Sequence, residues 1–347
     1  MMNTGRGRRF SRTMITTGIL VAVVVGGSAC AAGAPVASTT PPPTAAPAPA
    51  PGAPTASGFT VPSGPRIVFR NTTPGDGYGK VSTVPLASPS SKRTVSDLSC
   101  ERVDASREAL SCLSLNSINP VGYRETLYDG TGAVIGFWPL SGPPSRTRLS
   151  PDSKLVAWTA FVDGESYANV KFSTLTTVTS LHGTHYGPLD AFTFLVDAKP
   201  YTAVDLNFWG VTFAEDGNVF YATASSEGHN WLVRGNLRGR TVVAMKEGAE
   251  CPSLSPDETR VAYKKNLGSL DAPRWTLAVY DLASKAETVL PLTGNVDDQA
   301  EWLDDKTVLF GLPGSAAGDF NVYSAPADGS AAETLFIEHA WSPAVVR

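Results

Sequence analysis

Few residues of this 347-residue sequence combine the types and spacing that enzyme chemistry requires. His182 and His185 form a His-Gly-Thr-His segment, and Asp190 follows it closely. A structural zinc ion needs four ligands, and a catalytic zinc ion needs three ligands with an orienting shell. Two histidines in a glycine-rich loop are therefore interpreted as ordinary polar loop residues, and neither a metal nor a cofactor is predicted.

Other catalytic signatures are missing from the sequence. It contains no Gly-x-Ser-x-Gly elbow, no phosphate-binding loop and no dinucleotide fingerprint. Four aspartates instead recur at equivalent turn positions, and a catalytic residue is normally needed only once. We predict that these aspartates form turns: Asp152, Asp216, Asp257 and Asp304.

A repeated turn signal organises the chain after about residue 65. Segments such as Leu-Ser-Pro-Asp, from Leu149 and again from Leu254, are followed by runs in which Val, Phe, Tyr and Trp alternate with polar residues. Proline and aspartate favour tight turns, and the alternation is typical of half-buried strands. Successive turn signals are separated by 46, 64, 41, 48 and 39 residues. Units of roughly 40–50 residues with four strands are typical of propeller blades.

The two ends of this region complement each other. The last segment, from His339, supplies only the first strand of a unit, and the residues from Arg66 to Leu98 supply three further strands. Combining them gives one blade that closes the ring without an open sheet edge. We therefore predict an all-β domain over residues 66–347, a six-bladed β-propeller with four-stranded blades.

The Ser-Pro-Asp hairpins resemble the WD40-like repeats of TolB-type propeller proteins, and the resemblance covers roughly Arg66 to Arg347. It implies the six-bladed fold but does not specify a function, because propellers serve as scaffolds, as binders of sugars and peptides, and as gates of peptidases. The alternative interpretation is a β-sandwich with coincidental Ser-Pro-Asp turns.

Three cysteines fall within the predicted propeller. Aligning the first hairpin with the second places its centre near Ser106, so that Cys100 faces Cys112 on an adjacent strand. Residues facing each other in this way are close enough for a disulfide, which an oxidising compartment permits. Cys251 has Tyr263 at the corresponding facing position, and it is predicted to remain a buried free thiol rather than a catalytic nucleophile.

The 64-residue interval is about 20 residues longer than its neighbours, and the extra residues lie between His182 and Gly210. Insertions in a repeat map to loops, and loops on a rigid scaffold often bind ligands. We predict a candidate loop for binding a ligand or partner at His182, His185, Tyr186, Asp190, Phe192, Phe194 and Tyr201. The alternative is that Phe192 and Phe194 form an additional edge strand that packs on its own blade.

The N-terminus is typical of an export signal. Four arginines precede an apolar run from Met14 to Gly27 that is too short to span a membrane comfortably. The following Gly-Ser-Ala-Cys resembles the bacterial lipobox, which implies cleavage before Cys30 and its lipidation. Gly27 stands where that motif usually has an aliphatic residue, so plain cleavage near Ala29 is the alternative. Residues 1–29 are predicted to be a lipoprotein signal peptide.

Residues 30–65 are predicted to be a disordered tether. Residues 31–65 contain ten prolines and no charged residue, so they cannot bury enough apolar surface to offset the entropy of ordering. Together with the arginine-rich signal, this composition resembles actinobacterial cell-envelope lipoproteins. Without residues 1–29 the chain has a net charge of about −8, which argues against nucleic acid as a partner.

These observations predict a monomeric, non-catalytic binding or scaffolding propeller. We expect it to be lipid-anchored on the extracytoplasmic face of the cell membrane and to bind an envelope protein, a peptide or a glycan. The alternative is a hydrolase or lyase that uses the central pocket, with or without one metal ion. The innermost strands are predicted to be mostly neutral, and the charged residues near them are Arg148, Glu250, Glu301, Glu338 and His339.

Overall fold

The structure is a computed structural model that describes residues 63–116, 122–163, 172–269 and 272–347, together with a two-residue strand at 44–45. The predicted signal peptide, Cys30 and the rest of the predicted tether lie outside the described residues. No helix in the described part of the chain is long and apolar enough to cross a membrane.

Apart from one 3₁₀ helix, η1 (Leu189–Ala191), the regular elements of the described residues are β-strands. In chain order they are β1 (Thr44–Ala45), β2 (Arg66–Asn71), β3 (Lys80–Pro85), β4 (Thr94–Ser99), β5 (Arg102–Ala105), β6 (Ala109–Asn116), β7 (Gly122–Asp129), β8 (Val134–Leu140), β9 (Pro144–Leu149), β10 (Leu155–Asp163), β11 (Ser173–Ser180), β12 (Thr184–Pro188), β13 (Thr193–Val196), β14 (Lys199–Pro200), β15 (Asn207–Phe213), β16 (Val219–Ser226), β17 (His229–Asn236), β18 (Thr241–Glu247), β19 (Glu250–Leu254), β20 (Arg260–Asn266), β21 (Trp275–Asp281), β22 (Glu287–Val289), β23 (Glu301–Asp304), β24 (Thr307–Pro313), β25 (Phe320–Pro326), β26 (Thr334–Ile337) and β27 (Ala340–Val346).

These strands form six sheets, each with a four-stranded core. Blade 1 is β5 to β8, blade 2 is β9 to β12, blade 3 is β15 to β18, blade 4 is β19 to β22, blade 5 is β23 to β26, and blade 6 is β27 followed by β2, β3 and β4. The first strand of each blade contacts the first strands of the two neighbouring blades, so that β5, β9, β15, β19, β23 and β27 form a closed inner ring. The predicted six-bladed propeller is confirmed.

Apolar residues hold the ring together through the alternation of side chains along each strand. In β2 the side chains of Ile67 and Phe69 pack with blade 5, whereas that of Val68 packs with blade 1. Neighbouring residues of a strand point to opposite faces, and both faces of a blade are covered, so the whole of β2 is buried. Among the described residues, one apolar cluster lies between each pair of adjacent blades.

Blade 6 is assembled from both ends of the domain, as the sequence predicts. Strand β27 pairs antiparallel with β2, with Val346 opposite Arg66 and Ala340 opposite Asn71. Strands β3 and β4 complete the sheet on the other side of β2. The ring is therefore closed by a blade whose inner strand and outer strands come from opposite ends of the domain.

The repeated aspartates stabilise hairpin turns. In blade 2, Asp152 Oδ1 accepts hydrogen bonds from the Ser150 hydroxyl at 2.6 Å and from the Lys154 backbone N–H at 3.1 Å. In blade 4, Asp257 Oδ1 accepts the equivalent bonds from Ser255 at 2.5 Å and from the Thr259 N–H at 3.1 Å. Side chains that bond to backbone groups two residues away are characteristic of Asx turns. These contacts agree with the predicted structural role.

The insertion extends blade 3. Strand β13 pairs in parallel with β18, and β14 pairs with β13, so that the sheet has six strands. The side chains of Phe192 and Phe194 are buried in the cluster between blades 2 and 3. Arg240 covers the Phe192 ring at 4.6 Å and donates a hydrogen bond to the Tyr186 carbonyl at 2.6 Å. The added edge strand, the alternative interpretation of this segment, is the arrangement observed.

The structure contains the predicted Cys100–Cys112 disulfide, with a Cα–Cα distance of 5.4 Å, and Cys251 is a buried free thiol. The predicted hairpin register is wrong, because Cys112 faces Val103. The turn closes between Ser106 and Ala109 through the Ser106 N–H and the Ala109 carbonyl, 2.9 Å apart, so its centre lies further along the chain than predicted. Cys100 precedes β5 and still lies close enough to Cys112 to form the bond.

Candidate functional site

One end of the propeller's inner ring opens into a funnel-shaped cavity of about 470 Å³, called here the axial funnel. Its walls include the last residues of β5, β9, β15, β19 and β27 and the first residues of β23, so that all six blades contribute. The hairpins that follow the inner strands of blades 1 to 4 form its rim. The ring of blades therefore creates this cavity, and no single repeat could form it alone.

The floor of the axial funnel is formed by one arginine that reaches across the ring. Arg148 on β9 of blade 2 forms a close ion pair with Glu301 on β23 of blade 5, three blades away. It also donates to the Ala300 carbonyl at 3.3 Å, and its guanidinium lies 3.7 Å from Asp104 Oδ1 on blade 1. Asp104 Oδ2 accepts a hydrogen bond from the Leu149 N–H at 2.6 Å. The floor thus consists of one cation held between two carboxylates from different blades.

Burial makes the two acids and the arginine interdependent. Burial raises the pKa of Asp104 to about 7, Arg148 opposes this rise, and the negative charge of Glu301 adds to it. Burial acts to lower the pKa of Arg148, but the carboxylates of Glu301 and Asp104 outweigh burial and raise it. Removing a charge from water is costly unless an opposite charge compensates, and here one cation serves two acids.

Beyond this floor, polar side chains fill the ring. Gln299 donates hydrogen bonds to the Pro252 carbonyl at 2.7 Å and to the Val211 carbonyl at 3.3 Å, joining blade 5 to blades 4 and 3. Lys264, which is 1% exposed, binds Asp297 with an N–O distance of 2.6 Å. A cavity of only about 10 Å³ lies on this side, enough for one water molecule. Within the described residues, the axial funnel is therefore a blind pocket that is closed at its floor.

Acidic residues predominate among the side chains that line the axial funnel. Six acids and three arginines line it: Asp104, Glu108, Asp152, Glu215, Glu258 and Glu301, with Arg107, Arg148 and Arg347. Four of these acids belong to the rim hairpins of blades 1 to 4. A concave surface of one predominant charge concentrates the local electrostatic field, so this arrangement attracts positively charged groups.

The sequence-predicted binding residues lie elsewhere, on the outer side of blades 2 and 3. His182 is exposed in the turn before β12, while His185 and Tyr186 are half-buried on that strand. Asp190 is exposed on η1. Among the described residues, no three His, Cys, Asp or Glu side chains are grouped as metal ligands.

The aromatic residues of that segment divide into two groups. Phe194 is buried, and its ring centroid lies 5.8 Å from those of both Phe208 and Trp231. Tyr201 is half-buried, and its hydroxyl donates to Glu227 at 2.9 Å. Because the rings of Phe192 and Phe194 are buried, they are not accessible to an external ligand. Ligand binding by the exposed part of the segment stays a prediction.

Several residues of the inner ring were missed by sequence reasoning. Asp104 and Arg146 are buried on inner strands that are predicted to be mostly neutral, and Lys264 on β20 and Asp298 before β23 are buried beside them. A usable signal exists in the sequence: Arg146 and Arg148 are two residues apart on β9, and this spacing places both on one side of the strand. Asp104 has the same two-residue spacing from Arg102 on β5.

Cys251 lies at 0% exposure on β19, in the inner ring. Burial raises the pKa of its thiol, against the effect of the nearby cations Arg146 and Lys264. A reactive cysteine needs an accessible thiolate, so this environment favours an inert, structural thiol.

Comparisons with known proteins identify the fold. No protein-family profile and no curated protein sequence matches the chain. TolB from Acinetobacter baumannii superposes with a TM-score of 0.58 at 16% identity, covering 82% of this chain and 67% of that one. A TolB candidate from Agrobacterium tumefaciens superposes with a TM-score of 0.50 at 11% identity, covering 80% and 90%.

An enzyme structure also matches, at lower similarity. An oligogalacturonate lyase in complex with manganese has a TM-score of 0.46 at 12% identity, with 72% of each chain covered. At such identities a structural match identifies the fold and leaves the activity open. The chain has the fold of a TolB-like six-bladed β-propeller.

Proposed function

We propose that this protein is a non-catalytic binding propeller, anchored to the extracytoplasmic face of the cell membrane, and that its axial funnel receives a positively charged segment of a cell-envelope partner. The observation that carries the proposal is the blind, acidic cavity formed jointly by all six blades. A pocket closed at its floor suits a side chain or a chain end, because a longer segment cannot pass through it.

The size and charge of the axial funnel favour a peptide among the three partner classes. Its volume of about 470 Å³ lies within the range of small-ligand pockets, roughly 300–1,000 Å³, and is far too small for a folded domain. The Glu108 and Glu215 carboxylates at the rim have no ion pair within the described residues. Lysine or arginine side chains of a partner would supply the missing positive charge.

The anchoring part of the proposal rests on the sequence. Lipidation of Cys30 would hold the chain at the membrane. Because strand β1 (Thr44–Ala45) pairs with β12 of blade 2, residues 31–43 would act as the free spacer. At about 3.1 Å per residue in polyproline-like conformation, these residues span roughly 40 Å. The axial funnel could then reach partners well away from the bilayer surface.

A peptide-binding experiment tests the proposed site. We expect the soluble domain, residues 63–347, to bind fluorescent peptides rich in Lys and Arg, with an affinity that falls as salt is added. Charge reversal by Glu215→Lys at the rim should weaken binding at least tenfold. The matched control is Asp97→Lys on the outer strand β4, where the side chain is 81% exposed and far from the rim in the sheet order, and it should leave affinity unchanged. If Glu215→Lys and Asp97→Lys bound the peptides with equal affinity, the axial funnel would not be the binding site.

The anchor has its own test in the full-length chain. Cys30→Ala should release the protein from the membrane fraction or leave it unprocessed, and the mass of the processed wild type should include the lipid. Unchanged membrane association and unchanged mass in the variant would contradict anchoring without affecting the funnel.

One observation favours a second candidate, a hydrolase or lyase that uses the same pocket. The pKa of Asp104, raised to about 7 mainly by burial, lies near the pH at which a general acid or base works best. If the protein is such an enzyme, Asp104→Asn should abolish turnover in a screen of glycan and peptide substrates while binding persists. Binding without turnover in the wild type supports the binding module.

A further inference from the structure

A line of four oxygen atoms crosses the boundary between blades 1 and 2, beneath the floor of the axial funnel. Glu125 on β7 and Ser111 on β6 are both at 0% exposure, and Glu125 Oε1 lies 2.7 Å from Ser111 Oγ. Ser111 Oγ is also in short contact with Thr147 Oγ1 on β9. Thr147 Oγ1 in turn lies 3.2 Å from the carbonyl oxygen of Ala157 on β10. The line contains three successive hydrogen-bond contacts.

Each of these three contacts needs one proton between its two oxygens. The hydroxyls of Ser111 and Thr147 provide two protons, and the Ala157 carbonyl provides none. If Glu125 were ionised, one pair of oxygens would face each other at hydrogen-bond distance without a proton. A protonated Glu125 supplies the third proton, and all three contacts then become hydrogen bonds.

We infer that Glu125 is a neutral carboxylic acid in the folded protein, and that its proton completes a hydrogen-bond chain that joins blade 1 to blade 2. Glu125 donates to Ser111, Ser111 donates to Thr147, and Thr147 donates to the carbonyl oxygen of Ala157. This inference is independent of the proposed binding function, because it concerns the free protein.

The surroundings of Glu125 support a neutral acid. Its second oxygen, Oε2, is buried and has no hydrogen-bond partner in the described part of the chain. An unpartnered oxygen costs far less on a neutral carboxyl group than on a carboxylate, whose charge must be compensated. Leu113 and Trp138 face Glu125 from the two neighbouring strands and carry no charge.

Among the described residues packed around this site, no cation is positioned to compensate the charge of an ionised Glu125. Asp104 on β5 is another acid, and Arg148 on β9 is engaged by Asp104 and Glu301. Arg124 and Tyr128 on the same strand as Glu125 occupy positions that point to the opposite face of the blade. Burial, opposed by the contact with Ser111 and aided by Asp104, raises the pKa of Glu125 to about 8.

A proton held in this way makes stability depend on pH in a defined direction. The folded protein keeps the proton up to about pH 8, whereas unfolded Glu125 releases it near its ordinary value of 4.5. The stabilisation is therefore complete below that value and is lost as pH rises towards 8. Each bound proton changes the unfolding constant by about tenfold per pH unit.

Glu125→Gln tests the inference, because the amide N–H₂ can donate to Ser111 without titrating. We expect urea unfolding at pH 5, 6, 7 and 8 to show that the wild-type unfolding constant rises about tenfold more per pH unit than that of the variant. Glu101→Gln is the matched control, since Glu101 directly precedes β5 of blade 1 and is exposed, and its variant should keep the wild-type slope. Parallel pH profiles for wild type and Glu125→Gln would overturn the inference.

A second measurement does not depend on the folding of any variant. In carboxyl ¹³C NMR of the wild-type domain labelled at glutamate, the signal assigned to Glu125 should remain that of a protonated acid from pH 4 to pH 7. If the Glu125 carboxyl titrates completely below pH 6, Glu125 is ionised in the folded state and the inference is wrong.

Discussion

The acids in the hairpin turns and the acids in the inner ring respond to the fold in opposite ways. In the turns, hydrogen bonds from Ser150 and Lys154 outweigh partial burial and lower the pKa of Asp152. On β5 of the inner ring, burial dominates and raises the pKa of Asp104, and burial likewise raises the pKa of Asp298, which lies just before β23. The turn acids recur at equivalent positions of blades 2 to 5 and act locally, whereas Asp104 and Glu301 each occur once and contact residues of other blades.

This difference distinguishes residues that stabilise individual blades from residues that form the candidate site. A residue type that recurs at one position of a repeat satisfies a need of every repeat, such as closing a hairpin. A charged residue that appears in a single blade and faces the ring axis meets a need of the assembled ring. In this protein Asp104, Arg148 and Glu301 belong to the second kind, because their contacts join blades 1, 2 and 5.

The largest effect is expected from opening the ring on which the inner-ring acids depend. Deleting residues 338–347 removes β27, exposes the edge of β2 and the apolar face of blade 5 that packs against β27, and takes Val345 and Val346 from two apolar clusters. We expect a loss comparable with the total stability of a typical domain, about 5–15 kcal/mol. Thermal unfolding and limited proteolysis measure it, and deletion of residues 31–60 is the control. Equal melting temperatures for the truncated and intact domains would contradict closure by β27.

A smaller effect should follow from removing one cation from each kind of acid. Arg148→Ala leaves Asp104 and Glu301 buried without compensation, and we expect it to destabilise the domain by about 3–5 kcal/mol. Lys154→Ala removes the cation beside Asp152, where the lysine side chain is 75% exposed, and should cost less than about 0.5 kcal/mol. Urea unfolding at neutral pH measures both. If Arg148→Ala and Lys154→Ala lowered the free energy of unfolding by similar amounts, the inner-ring acids would depend on their cation no more than Asp152 depends on Lys154.

Replacing one acid of each kind should produce effects that differ in the sign of their pH dependence. The raised pKa of Asp104 means that its stabilising contribution declines as pH rises from about 4 to 7, so Asp104→Asn should gain stability relative to wild type over this range. The lowered pKa of Asp152 means that its contribution is present at neutral pH and disappears as the solution is acidified below about 4. The deficit of Asp152→Asn should therefore shrink at low pH. If both variants gained stability relative to wild type as pH rose, or both lost it, the proposed difference between the turn acids and the inner-ring acids would be wrong.

Much of the fold could be predicted from the sequence, because its signals are local. Ser-Pro-Asp turns and alternating apolar residues mark the hairpins of blades 2 and 4, and the complementary ends of the domain predict the shared blade. The predicted register of the first hairpin is wrong because that turn has no proline to mark it, and the last strand residue before the turn, equivalent to Leu149, is Ala105 and not Val103. The sequence spacing alone could not locate the turn between Ser106 and Ala109.

The candidate site was predicted less well, because its contacts join residues far apart in the chain. The pairing of Arg148 with Glu301 depends on the radius of the ring and on which blades lie opposite each other. No local pattern contains that information. The aromatic residues Phe192 and Phe194 were the more conspicuous signal, but hydrophobic rings in an insertion can equally extend the core, and here they do.

The shared blade also determines how the domain would carry mechanical load. Strand β2, which begins at Arg66, is the first strand of blade 6 in chain order and lies between β27 and β3, not at the edge of its sheet. A pull applied at Arg66 along the direction of β2 would shear two antiparallel hydrogen-bonded ladders at once instead of peeling one ladder bond by bond. Placing the entry strand in the interior of a blade therefore makes the propeller resistant to tension from the side on which a tether would be attached.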